Sequence, residues 1–483
     1  KYAEPYFRQR PGWAEQKTDF YFDNMCKAST ALMARNADKV PDIIACAVTV
    51  IRDTLVFLDE NYQPTRDIIH WLDARKCVFD DPFPLWKEAV FELIGMGKGT
   101  RIAYRTSKVN WVRQKQPKVW ARTKKIVCLP AYINYRMTGR LADTPASTIA
   151  HIPMDYKKKR WMKENDLTRC FFDVPQDKLY ELIPSGEVLG YITKEAAALT
   201  GAPEGLPLIA TGADKACETL GLSVASPDKA SISFGTSSTI EMYTEQYFEP
   251  QAFLPSYPSV INKAWNPEIQ VFRGFWMLSW FIKEFGDKDK EEAEKLGVSP
   301  EENTKAAQVP AGCQGLMLQP YWTPDVLKPD SYGAIIGFSD YHTKYHIYRA
   351  IIEGVCLELY MSMKSMEKRG KKHIKQLYVG GGGSKSDLAS QILADTFGLP
   401  VKRIHTHEAC SLGAAMVAFV AKGEFESFDE AIKSMVHEKD VFTPDPKNHE
   451  IYMNMYNKVY RKIYKNVRPL YATMNNLKER NMI

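Results

Sequence analysis

Three short stretches of the 483-residue sequence gather residue types that can do chemistry on a phosphate. In Thr211-Gly212-Ala213-Asp214-Lys215-Ala216 a strand ends, a tight turn follows, and a carboxylate is presented at the start of a helix. Phosphoryl transfer to a hydroxyl needs a carboxylate placed to accept the hydroxyl proton, and Asp214 is of that type. The same residue at the same place also caps a helix, which Asp does well. In Ser233-Phe234-Gly235-Thr236-Ser237-Ser238 a glycine and short hydroxyl side chains expose several donors between two strands. That is a cradle for phosphate or an ordinary hairpin turn. The run Gly380-Gly381-Gly382-Gly383, followed by Ser384-Lys385-Ser386, leaves a strand and opens a helix. Consecutive glycines are costly in chain entropy, which implies a close approach to the backbone by a ligand or another segment; a ligand is the favoured reading. The spacing is neither a Walker A loop nor GxGxxG.

The elements that must position these residues follow from periodicity and turn chemistry. A helix is expected near 19–35, and strands at 43–50, 55–58 and 68–71, with a turn at Asp59-Glu60-Asn61. Three strands in succession suggest a meander at one side of a mixed sheet. Helical patterns dominate 84–137 and stop at Thr138-Gly139. A short strand at 208–211 leads into a helix over 216–222. Strands at 229–234 and 239–243 form a hairpin around Gly235-Thr236-Ser237-Ser238. Residues 288–302, rich in Lys and Glu and containing Gly297, read as a solvated helical insertion. A strand at 374–379 runs into the glycines, and a helix at 386–397 stops at Gly398-Leu399-Pro400. Alternating strands and helices make the fold class α/β. The break falls near Ser226-Pro227-Asp228, giving domains 1–225 and 226–483, with no repeat of 20–50 residues visible.

Composition narrows the function. The net charge of +6, from 64 basic and 58 acidic residues, is mild for this length and gives no reason to expect nucleic acid or a membrane as partner. The run Lys157-Lys158-Lys159-Arg160 beside Trp161 reads as a solvated loop. No stretch reaches the roughly 18 apolar residues a membrane span requires, and Lys1-Tyr2-Ala3-Glu4 does not open a signal peptide. Nine cysteines without a CxxC pair suggest free thiols in a reducing cytosol, hence a cytoplasmic location. His405 and His407 have no third ligand in view and read as structural or surface residues.

Taken in order, the three sites resemble the FGGY carbohydrate kinases, from about Glu4 to about Gly423. Pro11-Gly12-Trp13-Ala14-Glu15-Gln16 is similar to that family's opening segment, and Trp71-Leu72-Asp73-Ala74-Arg75 to its WxDxR stretch. Gly212-Ala213-Asp214 with Leu220-Gly221 resembles the segment bearing the catalytic aspartate, and Gly235-Thr236-Ser237 the second phosphate-binding hairpin. Gly333-Ala334-Ile335-Ile336-Gly337, His346-Ile347 and Ala350-Ile351-Ile352-Glu353 resemble the C-terminal signature, with Phe338 in place of an aliphatic residue. Gly381-Gly382-Gly383-Ser384-Lys385-Ser386, with Gln391 and Asp395, resembles the adenosine-binding segment, and Leu412-Gly413-Ala414-Ala415 the helix after it.

The resemblance implies two ribonuclease-H-like, actin-like ATPase domains around a central cleft. It implies ATP and Mg2+ as cofactors, a sugar or polyol substrate, and a possible homodimer. Domain closure would join hydroxyl and γ-phosphate and exclude water. Asp214 is then the general base. Gly235, Thr236 and Ser237 hold the transferring phosphate, and Gly381, Gly382, Gly383, Lys385 and Ser386 line the nucleotide pocket. Arg52, Asp53, Trp71 and Lys215 are expected at the sugar.

The family's Asp-x-Gly-Thr hairpin, which organises magnesium, is expected upstream of Glu4. The first domain as given would then lack part of its sheet and leave an exposed edge. Val50-Ile51-Arg52-Asp53-Thr54 resembles the Asn-Gln-Arg-Glu-Thr of glycerol kinases, although Arg52 and Asp53 could equally form a local ion pair. Lys215 stands where those enzymes have Gln and suggests an anionic or differently oxygenated substrate. Trp322-Thr323-Pro324-Asp325 replaces the usual Gly-Glu-Arg-x-Pro stretch. Phe272, Phe275, Trp276 and Trp280 read as core, with the sugar site as the alternative. Two other readings stand beside the kinase: a non-catalytic sugar or nucleotide sensor, and a non-kinase ATPase of the same superfold.

Overall fold

The computed structural model describes residues 7, 9–10, 12–80, 83–172, 174–296, 305–323, 328 and 330–480. Expectations resting on Glu4, Pro11, Gly297, the end of the 288–302 insertion, Pro324 and Asp325 lie outside the described residues. The division at 225/226 is carried forward as a proposal. By compactness the chain groups into one unit of 1–221, 257–265 and 410–435, and a second of 222–256, 266–409 and 436–483.

In the first unit the strand Leu55–Leu58 is apolar at every position and buried on both faces. It pairs antiparallel with Ile68–Ile69 on one side and Lys125–Cys128 on the other; Glu15–Gln16 extends the sheet beyond Ile68–Ile69. Lys125–Cys128 interrupts the stretch expected to be helical throughout. Its Ile126-Val127 pair is β-branched, and Pro130 at the start of the next helix cannot continue a ladder. Helix Phe20–Arg35 starts and ends where the sequence placed it, and the helix before Gly139 closes on that glycine in the left-handed conformation.

Two strand expectations need correction. The 43–50 run forms a ladder only at Cys46–Ala47, and the 68–71 run only at Ile68–Ile69. Cys46–Ala47 does not join the meander. It lies at the edge of a separate sheet, parallel to Pro207–Ile209, which pairs with Val188–Tyr191. With a neighbour on one side only, among the described residues, residues 43–50 stay half-exposed throughout.

The Lys157–Arg160 run is not wholly solvated. Lys159 is half-buried and left-handed (φ 53°); its Nζ donates to the Ala264 carbonyl at 2.8 Å and sits 4.6 Å from the Trp265 ring centroid. Burial lowers its pKa to about 8.

The second unit is built on a six-stranded sheet ordered Glu268–Val271, Ser238–Met242, Lys229–Phe234, Gln376–Gly380, Val401–Ile404, Glu438–Phe442. The Lys229, Gln376 and Val401 strands are mutually parallel, and the outer ones run antiparallel. The 27-residue helix Lys344–Gly370 packs its apolar face on the same core as this sheet.

Charge inside this unit is paired. Glu353 accepts from Arg349 Nε at 2.7 Å, the Tyr452 hydroxyl at 2.8 Å and the Gly312 amide at 3.1 Å. That amide belongs to a run, Gly312 to Gln314 and Gly315, with φ of 80°, 47°, 51° and 98°. The 288–302 insertion is a helix at Asp287–Leu296. It is anchored rather than solvated all round: Asp289 is buried and receives Lys344 Nζ at 2.6 Å. Among the described residues no helix is long and apolar enough to cross a membrane, and all nine cysteines are unpaired.

Candidate active site

Asp214 is the first residue of helix Asp214–Gly221, on a turn held from three sides. The Ala213 amide donates to Ala146 O at 3.1 Å, the Asp214 amide to Val50 O at 3.0 Å, and Ser185 Oγ to Thr211 O at 2.8 Å. Gly212 is required here, because a Cβ would come within 3.2 Å of the Ala216 Cβ and overlap Val260. The Asp214 side chain keeps about a third of its surface open, 32%. One oxygen accepts the Lys215 amide at 2.8 Å and lies 3.8 Å from Arg52 Nε. The capping and chemical readings therefore coexist in one carboxylate. Burial raises its pKa above the usual aspartate value, and Arg52 and Lys215 oppose the rise.

Arg52 and Asp53 each have a partner beyond their own strand end. Arg52 turns to Asp214 and lies 5.4 Å from the Tyr257 ring centroid. Asp53 is left-handed, φ 51°, and its carboxylate turns to His151. Burial pushes Asp53 up, but His151, its hydrogen bonds and the nearby Lys108 outweigh that and leave the pKa below normal. Lys215 Nζ is 2.5 Å from Glu218 Oε2. Trp71 lies against His70, ring centroids 5.7 Å apart. In the same stretch Asp73 binds the Ala14 amide and Arg75, whose guanidinium lies 3.8 Å from the Trp13 ring centroid. The WxDxR segment thereby fastens the opening loop.

Asp143 is fully buried and accepts the Thr144 amide at 2.8 Å, and the Thr144 hydroxyl meets Ser185 Oγ at 2.9 Å, the group that holds the Thr211 carbonyl. Burial pushes it up to about 7, against the Thr144, Ser147 and Asn134 hydrogen bonds.

In the second unit the expected hairpin is present at Lys229–Phe234 and Ser238–Met242, with Thr236 exposed at its tip. The Gly235 carbonyl accepts the Phe275 amide at 3.1 Å, which ties the tip to the start of helix Trp276–Phe285. The glycine run is approached by the protein itself. A Cβ on Gly381 (φ 75°) would meet the Phe234 carbonyl at 2.8 Å, and one on Gly383 would meet the Phe275 ring and Phe234 Cβ. Gly382 faces open space. The favoured ligand reading of the glycine cost thus gives way to close packing by the protein itself, by the Phe234 backbone at Gly381 and by side chains at Gly383.

Ser386 caps helix Asp387–Phe397, Lys385 is exposed, and Gln391 and Asp395 are engaged with the 443–448 segment. Phe275 stacks on Phe234 at 4.2 Å and Trp280 packs on Trp322, whereas Phe272 and Trp276 are exposed. The aromatic set is part core and part surface.

Sequence reasoning missed His151, Lys108, Glu218 and Arg403. Arg403 donates to the Ser384 carbonyl at 2.9 Å and the Lys385 carbonyl at 3.2 Å, and pairs with Asp440 and Asp387 at 2.6 and 2.8 Å. It braces the glycine turn from below. Only His151, a polar residue inside Ile149-Ala150-His151-Ile152-Pro153, gave a local signal. Among the described residues no three His, Cys, Asp or Glu side chains gather as a metal cage. His405 bonds the His437 backbone.

Residues 3–221 match the N-terminal domain of the FGGY family of carbohydrate kinases, and 230–422 its C-terminal domain. The Escherichia coli K12 protein YgcE, described as an uncharacterized sugar kinase, is 30% identical over 456 residues, covering 94% of this chain and 85% of that one. A xylulose kinase of Lactococcus lactis is 27% identical over 467 residues, covering 95% and 89%. The crystal structure of a gluconate kinase from Lactobacillus acidophilus superimposes with a TM-score of 0.80 at 20% identity, over 98% of this chain and 94% of that one. That likeness shows the two-domain actin-like fold. Matched through both domains and along nearly its whole length, the chain belongs to the FGGY family of carbohydrate kinases, which phosphorylate sugars at the expense of ATP.

Proposed function

We propose that the chain phosphorylates a hydroxyl of an uncharged ketose or polyol, with Asp214 as general base. The observation that carries this is the Asp214 carboxylate: a third open, raised in pKa by burial, and held on a rigid turn. A carboxylate whose pKa is raised takes a hydroxyl proton more readily than an ordinary aspartate. As the proton passes to Asp214, the substrate oxygen bonds to the γ-phosphorus, the β–γ P–O bond breaks, and ADP leaves.

Gly235, Thr236 and Ser237 are the proposed phosphate contacts. The open face of Gly382, with Gly381, Gly383, Lys385 and Ser386 shaping the turn, is the proposed nucleotide contact. Magnesium would arrive on the nucleotide phosphates, as it commonly does. The described residues form no cage for it, and no step is assigned to it.

Charge pairing supports a neutral substrate. Arg52 lies against Asp214, Lys215 against Glu218, and Lys108 Nζ donates to the Asp73 carbonyl at 2.7 Å while facing Asp53. An aldonate would bring a charge to a region whose cations are already engaged. The test is ADP release with D-xylulose, glycerol and D-gluconate. Turnover with a neutral sugar, lost in Asp214→Asn, supports the reading. Preference for gluconate overturns the substrate class, and turnover surviving in Asp214→Asn overturns the base.

A further inference from the structure

The Asp53–His151 pair is the most completely specified polar contact beside Asp214, and the phosphoryl-transfer chemistry above leaves it unused. Asp53 occupies a left-handed backbone conformation, uncommon outside glycine though more accessible to Asp than to most residues, and its surroundings hold it there. Those surroundings are residues 149–151. The Asp53 amide donates to the Ile149 carbonyl at 2.9 Å. In return the His151 amide donates to Asp53 Oδ1 at 3.0 Å, and His151 Nδ1 lies 2.8 Å from Oδ1 and 2.9 Å from Oδ2.

The carboxylate is therefore fixed in position and in rotation. A carboxylate offers about four lone-pair sites. His151 occupies those on its own side and leaves Oδ2 with acceptor capacity, on a side chain still 24% exposed. Because an ionised carboxylate has no proton to donate, Nδ1 must carry the hydrogen, and in the neutral ring Nε2 is then an acceptor. Lys108 faces Asp53 from helix Lys108–Lys115, and Phe172 sets its ring edge against His151 at 6.0 Å between centroids. Val50 and Asp214 are joined by a backbone hydrogen bond, so the loop that presents Asp53 also anchors the proposed base.

We propose that His151 is a positioning residue for substrate selection, aiming the Asp53 carboxylate so that it accepts a hydroxyl of the sugar beside the one that reacts. This rests on the reading of Asp53 as a substrate contact. Substrates that keep that hydroxyl bind well, and deoxy analogues lose the bond and leave a held carboxylate unpaired. A hydrogen bond to a charged group contributes about 1.5–3 kcal/mol, so the discrimination is at least about tenfold.

The experiment has two arms on the full chain. Long-range 15N–1H spectra of 15N-histidine-labelled protein at pH 8, with His151 assigned by its loss in His151→Asn, should show the Nδ1–H tautomer; an Nε2–H ring overturns the pairing. Steady-state kinetics then use the best of D-xylulose, glycerol and D-gluconate. His151→Leu should raise the KM for that substrate about tenfold or more and leave the KM for ATP unchanged. His151→Asn, whose amide can replace the Nδ1 donor, should restore most of the loss. An unchanged substrate KM in His151→Leu overturns the proposal, as does equal loss in both variants. If no sugar is turned over, the kinase reading fails separately, and calorimetry with D-xylulose decides the recognition role: binding weakened in His151→Leu supports it, and no binding to the wild type overturns it.

Discussion

The two units use charge in opposite ways. Asp214 and Asp53 are part-exposed and in unlike states: burial raises the pKa of Asp214 against its partners, whereas His151 and Lys108 lower that of Asp53. In the second unit the strongest charges are hidden: Glu353 and Arg349 are buried beneath the backbone they support, and Arg403, 9% exposed, spends its guanidinium on carbonyls and carboxylates of its own chain. Charge beside Asp214 stays partly open to solvent, and charge around Glu353 and Arg403 is consumed by architecture. The lesson is that a basic side chain beside a glycine turn need not be a phosphate ligand.

The widest test of this contrast exchanges the two kinds of carboxylate. Asp214→Asn should lower kcat by about a thousandfold, within the range for losing a general base. Its unfolding midpoint should be unchanged or higher, since the folded state no longer holds a partly desolvated carboxylate. Glu353→Gln should do the reverse. Leaving Arg349 buried without its counter-charge costs about 3–5 kcal/mol, seen as a lower urea midpoint, while kcat of the folded fraction stays near wild type. A comparable stability loss in Asp214→Asn would erase the distinction.

A finer test concerns the brace. Arg403→Met should raise the KM for ATP about tenfold without altering the KM for sugar, because the Ser384 and Lys385 carbonyls lose their donor. Arg403→Lys should rescue little, since an ammonium cannot span two carbonyls and two carboxylates at once. A sugar-specific effect in either variant would contradict the role.

How much of this was legible in the sequence depends on the range of each contact. The hairpin around Gly235, the left-handed stop at Gly398 and the turn before Asp214 were readable because their causes sit within a few residues. The 43–50 run was over-read, because apolar β-branched residues announce a strand but not whether two neighbours will pair with it. His151 and Asp53 lie 98 residues apart, and Arg403 reaches back 19 residues to Ser384. No local pattern encodes such partners. The glycine run carried a real signal, a close approach, yet not the identity of what approaches: Phe234 and Phe275 at two positions, open space at Gly382.

A last expected effect, visible only as a slope, is on pH dependence. Asp143 keeps its proton in the folded state up to about pH 7, whereas an unfolded aspartate releases it near pH 4. Stability from this group is therefore full below about pH 4 and declines as pH rises toward 7, by at most about 1.4 kcal/mol per pH unit. Asp143→Asn should flatten that slope in urea titrations at pH 4.5, 5.5 and 6.5. An unaltered slope would show that Asp143 is ionised in the folded chain.

The path of the backbone has a consequence for the order in which the protein can be made. Residues 410–435 group with the unit that holds Asp214, yet they are synthesised after most of the second unit. Gly413 lies so close to the Cys217 carbonyl that a methyl group there would overlap it, so the helix carrying Asp214 rests on a late-arriving neighbour. A nascent chain paused at residue 225 has Asp214 and its turn in sequence but not the surface that seats them. A fully seated Asp214 helix therefore waits on translation of most of the second unit.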